Sequence, residues 1–275
     1  MREVTLAVAE FKPVLGQVQA NVAAMCQLVE DVCLQKKVDL IVFPELCTTG
    51  YECALDFAGL AERLDEAAVS ALSKSATQFG THIVFGLAEK QKVESVVYSA
   101  AVLIDPEGEV LTSYEKVHLK GEQRLVFRPG FRYVTAETAF GVVGLLVGWD
   151  LAFPEAARSL ALMGAEVICV AGAWEQPHVH EWRSYCTTRA LENGVYLAAC
   201  NRVGEEPTYT FFGESAIVGP RGTVHARVEP DEEEEPRTRV AVATVDLDEA
   251  HRVQEETQLL QARQPRSYRE IVKMY

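Results

Sequence analysis

The feature that most constrains this chain is the number of short apolar runs it contains. Eleven segments run apolar or alternate between turn residues: Val4–Phe11, Val38–Phe43, His82–Ala88, Val97–Ile104, Val110–Val117, Val142–Val147, Val167–Ala171, Val195–Cys200, Ser215–Val218, Val224–Val228 and Val240–Val245. Each predicts a strand. Between them, Val18–Cys33 places Val22, Met25, Cys26, Val29, Val32 and Cys33 on one helical stripe, and Glu66–Phe79, Pro154–Met163 and Glu181–Glu192 show similar spacing. The turns Asp105-Pro106-Glu107-Gly108 and Gly219-Pro220-Arg221-Gly222 fall between consecutive runs and predict hairpins, so the sheets are mixed. Eleven strands are too many for one open sheet with so few helices to cover it. The predicted class is α/β, with two mixed β-sheets face to face and helices outside.

Size and charge narrow the functions available. A chain of 275 residues buries enough surface to need neither disulfide nor metal staple. With 26 Lys and Arg against 40 Asp and Glu, the formal charge is −14, part of it in the run Asp231–Glu235, which is flanked by Pro230 and Pro236 and reads as a solvated hairpin loop. Polyanions are repelled, so neither nucleic acid nor an anionic membrane is expected as a partner. Seven cysteines, widely spaced and mostly in apolar runs, fit a reducing compartment. No apolar stretch approaches a membrane span and no signal peptide is evident, so a cytoplasmic protein is expected.

Three places carry polar residues in unexpected company. The apolar run Leu40–Phe43 ends in Pro44-Glu45, where a partly desolvated carboxylate suits a general base; a capping or salt-bridged Glu is the plain alternative. Lys116 closes Ser113–Leu119, although a strand-end lysine is more often solvated. Gly144–Glu155 reads as strand, tight turn and helix, a geometry that aims backbone N–H groups and one side chain at a point. Asp150 in that turn is otherwise a cap. His178 and His180 lack the carboxylate or thiolate support of a zinc site, His118 reads as structural, and no cofactor or metal is expected.

Taken in order, Phe43-Pro44-Glu45, Tyr114-Glu115-Lys116-Val117-His118-Leu119 with Glu122 and Phe127-Arg128-Pro129-Gly130, Trp149-Asp150 with Phe153-Pro154-Glu155, and Arg189–Asn193 with Asn201-Arg202 resemble the nitrilase superfamily of carbon–nitrogen hydrolases. The resemblance covers nearly the whole chain. It implies a four-layer αββα sandwich, a single domain over residues 1–275, and a homodimer in which the tail, residues 264–275, packs on the neighbouring subunit. It further implies that Glu45 is the general base, that Lys116 and the Trp149 backbone N–H stabilise the oxyanion, and that Glu122 holds the substrate amide. Tyr51 and Trp174 would shape the substrate pocket, and the substrate would be a small linear amide or N-carbamoyl compound cleaved through a thioester.

The family's nucleophile is a cysteine directly before the Trp-Asp pair, and this chain has Gly148 there. Glycine has no atom that can attack a carbonyl. The resemblance therefore implies an inactive chain, either a deliberately inactivated amidase or a non-catalytic relative. The other class to weigh is a small-molecule-binding or regulatory protein on the same fold. The remaining cysteines, Cys47 included, read as core. The space left at Gly148 is expected to admit a water or a substrate atom.

Overall fold

The computed structural model describes residues 1–91, 96–228 and 239–273; the acidic run Asp231–Glu235 and Tyr275 lie outside the described residues. In chain order the strands are β1 (Glu3–Glu10), β2 (Leu40–Val42), β3 (His82–Lys90), β4 (Val97–Ile104), β5 (Val110–Glu115), β6 (Thr135–Glu137), β7 (Val142–Val147), β8 (Val167–Gly172), β9 (Tyr196–Asn201), β10 (Val203–Glu205), β11 (Thr210–Phe212), β12 (Ala216–Val218), β13 (Val224–Arg227) and β14 (Arg239–Asp246). The helices are α1 (Val18–Gln35), α2 (Phe57–Leu60), α3 (Ala67–Phe79), α4 (Gln123–Val126), α5 (Pro154–Leu162), α6 (Val179–Asn193) and α7 (Asp248–Thr257).

Two six-stranded sheets form, in the orders β14-β1-β2-β3-β4-β5 and β13-β12-β9-β8-β7-β6, and β10 pairs with β11 beside them. Both are mixed: β1, β2 and β3 run parallel, as do β7, β8 and β9, while the outer pairings are antiparallel. Both predicted hairpin turns join antiparallel neighbours.

Strand alternation explains the layering. In β1, Val4, Leu6 and Val8 point into the core between the sheets, whereas Ala7 and Ala9 point to the other face. There they meet Met25 and Val29 of α1 and Leu72 and Ala76 of α3. On the far side, α5 and α6 cover the second sheet through Ala157, Leu160, Trp182 and Ala190. The central strands are buried on both faces, so they read as continuous apolar runs. The order helix, sheet, sheet, helix is the four-layer sandwich.

Candidate active site

Glu45 stands where β2 leaves its sheet. Its backbone N–H donates to the Gly172 carbonyl at the end of β8, 3.1 Å away, which ties the ends of the two sheets together at this point. On the other side the Pro44–Leu46 backbone lies directly on β3. Gly86 N–H donates to the Pro44 carbonyl at 3.0 Å, and a Cβ on Gly86 would come within 2.6 Å of both Glu45 Cα and Pro44 O. Only glycine lets the chain pass here.

The Glu45 carboxylate is 1% exposed. Its Oε1 accepts from Ser99 Oγ (2.9 Å), Lys116 Nζ (2.8 Å) and Gln123 Nε2 (2.9 Å), and Lys116 Nζ also donates to Gln123 Oε1 (2.8 Å). A buried carboxylate and a buried ammonium tolerate each other's company because each offsets the other's desolvation. Ser99 comes from the middle of β4, Lys116 directly follows β5, and Gln123 opens α4. Glu45 Oε2 has no partner among the described residues.

Gly148 directly follows β7, with φ of 49°, in the left-handed region that glycine favours. Asp150 holds the turn. Its Oδ2 accepts from the Val147 N–H (3.3 Å) and the Tyr114 hydroxyl (2.8 Å), and its Oδ1 from the His118 N–H (2.9 Å). The His118 Nδ1 lies 2.8 Å from the same Oδ1, and its ring stacks on Phe153 at 3.6 Å. Arg189 donates to the carbonyls of Leu151 and Ala152, and Trp174 Nε1 donates to the Gly148 carbonyl at 3.0 Å. Asn201 in turn grips the Trp174 backbone at both its N–H and its carbonyl. Tyr114, His118, Asp150, Arg189 and Asn201 thus position the turn and its neighbour.

One expectation needs correction. The space at Gly148 is not open: a Cβ built there overlaps Glu45 Oε2 and lies 2.9 Å from Lys116 Nζ, so the carboxylate itself fills the position. Glu122 does not join the cluster. It is exposed one residue before α4, and its neighbour Gln123, 5% exposed, makes the contacts to Glu45 and Lys116. The sequence signal for Ser99 was a hydroxyl inside an otherwise apolar strand. For Gln123 it was a polar residue next to Glu122, since one step along a helix turns a side chain by roughly 100°.

The remaining candidates surround this cluster. Tyr51, Trp149 and Trp174 line a cavity of about 10 Å³ with Lys116, room for about one water. Burial, with Glu45 and Glu175 nearby, holds the Tyr51 phenol well above its ordinary range. Cys47 donates to the Gly86 carbonyl on the helix-covered face, and burial pushes its thiol up to about 12, so it is inert core. His178 Nδ1 lies 3.3 Å from Glu181, and among the described residues no three His, Cys, Asp or Glu side chains gather as a metal would need.

A buried carboxylate and ammonium facing a tight strand-to-helix turn, at the joint edge of two stacked sheets, is the layout of an acyl-transfer hydrolase site. Residues 5–255 match the carbon-nitrogen hydrolase family, and the chain belongs to it, in its nitrilase and amidase branch. It is 38% identical over 248 residues to a "Probable nitrilase" of Schizosaccharomyces pombe, covering 89% of each chain. It is 34% identical over 230 residues to the 2-oxoglutaramate amidase of Bacillus subtilis, covering 80% of this chain and 83% of that one. A carbon-nitrogen hydrolase from Helicobacter pylori superposes with a TM-score of 0.90 at 26% identity, covering 99% of both chains. An amidase from Nesterenkonia sp. superposes with a TM-score of 0.85 at 26% identity, covering 98% and 96%. No described helix is long and apolar enough to cross a membrane.

Proposed function

We propose that this chain is a carbon–nitrogen hydrolase scaffold that binds small amides or N-carbamoyl compounds without cleaving them. The observation that carries this reading is Gly148 with Glu45 Oε2 pressed into the place of its missing side chain. Nothing at the turn can form a thioester, and the base is folded over the nucleophile position. Glu45, Lys116 and the Trp149 N–H would perform the base and oxyanion roles in a chain with a cysteine. Here they form a closed polar floor, and Gln123 adds a carboxamide that hydrogen-bonds both charges. Relatives named N-carbamoylputrescine amidase and 2-oxoglutaramate amidase support the ligand class.

We further propose a homodimer in a reducing compartment such as the cytoplasm. All seven cysteines are free. Leu162 of α5 is 47% exposed, and Leu259 and Ile271, 48% and 59% exposed, line the same cavity of about 640 Å³ between α5 and the C-terminal segment. An apolar surface of this kind fits an interface to which residues 264–275 contribute.

The test compares the chain with Gly148→Cys on a panel of amides, nitriles and N-carbamoyl compounds. The chain itself is expected to release no ammonia while its melting temperature rises with bound amide. Loss of a nucleophile costs on the order of a millionfold in kcat in proteases, so even an imperfectly seated cysteine stands out. Ammonia release by the unaltered chain, or none from folded Gly148→Cys across the panel, overturns the reading.

A further inference from the structure

A second cavity, of about 230 Å³, adjoins the closed site and shares Tyr51 and Lys120 with it. Its walls are aromatic. Tyr51 and Tyr209 meet edge to face at 5.7 Å, and Phe57 and Phe127 meet at 4.7 Å. Gln123, 5% exposed, also lines this cavity, so one residue touches both the cavity and the Glu45–Lys116 pair.

The charges lining it are unbalanced. Lys120 is the cation among them, and its Nζ lies 2.6 Å from Glu175 Oε1, so that charge is already matched. Glu52 Oε2 accepts two backbone N–H groups, from Thr208 and Tyr209, and has no cation on it among the described residues. The Glu122 carboxylate makes no hydrogen bond or ion pair with any described residue. Burial, followed by Glu122, Glu175 and Glu52, raises the Tyr209 phenol above its ordinary range, so three carboxylates act on one ring of the cavity wall.

Building on the amide-binding reading above, we propose that this cavity selects a short-chain amide bearing an ammonium group. The carboxamide end lies toward Gln123 and Lys116. The ammonium lies among Glu52, Glu122 and the face of Tyr209, where a ring quadrupole and unmatched carboxylates attract the same charge. An anionic amide meets repulsion in the same place, and a neutral one gains neither effect.

Calorimetric titration with γ-aminobutyramide, butyramide and succinamate at low salt tests this directly. The ammonium-bearing amide is expected to bind about tenfold tighter than butyramide, with succinamate weakest. Glu122→Gln should close most of the gap between γ-aminobutyramide and butyramide, and added salt should narrow it as well. Equal affinity for all three, or a preference for succinamate, overturns the charge selection and leaves amide binding standing. Failure of every amide to bind overturns the amide-binding reading itself.

Discussion

At the scale of single residues, Gly148 controls the site through what it lacks. A side chain there needs a left-handed backbone, which costs about 1–2 kcal/mol for an L-residue, and must also displace a buried carboxylate held by three donors. Overpacking of this kind typically adds about 1–3 kcal/mol. Gly148→Ala is therefore expected to lose about 2–4 kcal/mol in urea denaturation. A variant as stable as the parent would mean that Glu45 retreats freely and that the site is open. Identity at this scale was visible in the sequence for Glu45, Lys116 and Gly148. That Gln123 touches both charges was not, because it depends on the angle at which a one-turn helix meets the sheets.

At the scale of elements, the strands and long helices were legible because burial on both faces writes continuous apolar runs, and α1, α3, α5 and α6 carry clear stripes. β6, β10, β11, α2 and α4 are three or four residues each, too short to show a period. Helix α7 buries only Ala250 and Val253, too thin a stripe to read. The crossing of β3 by the Glu45 backbone is an element-level feature that a sequence pattern does not mark. Gly86→Ala sets a methyl against backbone atoms that cannot rotate away. It is expected to cost about 3 kcal/mol and to expel Glu45 from its cluster, abolishing the stabilisation by bound amide in thermal melts. Retention of full ligand-induced stabilisation would show that the crossing does not seat the site.

At the scale of the whole molecule, Glu10 links the two sheets. It ends β1, its Oε1 accepts from the Ser215 N–H beside β12 at 2.8 Å, and Arg239 of β14 lies 3.6 Å from Oε2. Burial, opposed by the Ser215 bond and Arg239, pushes its carboxyl from 4.5 up to about 7. Between those values the folded chain keeps a proton that the unfolded chain has lost, so this contribution is complete below pH 4.5 and falls away as pH rises toward 7. The total is about 3 kcal/mol. Glu10→Gln is expected to flatten that part of the stability profile, measured by denaturation across the same window. An unchanged slope in the variant would assign it to other groups.

The sequence by itself determined the layers and the chemistry on offer: apolar runs require two covered sheets, and a strand ending in Glu45, a strand followed by Lys116 and a glycine before Trp149-Asp150 require no coordinates to notice. Only the tertiary structure decided how they meet. Glu45, Ser99, Lys116, Gln123 and Gly148 come from five separate segments, and whether a carboxylate stands beside a vacant position or inside it is a matter of about an ångström. Periodicity reports which face of an element is buried. It carries no information on the distance between side chains that two sheets bring together, and here that distance separates open space at Gly148 from a position filled by Glu45.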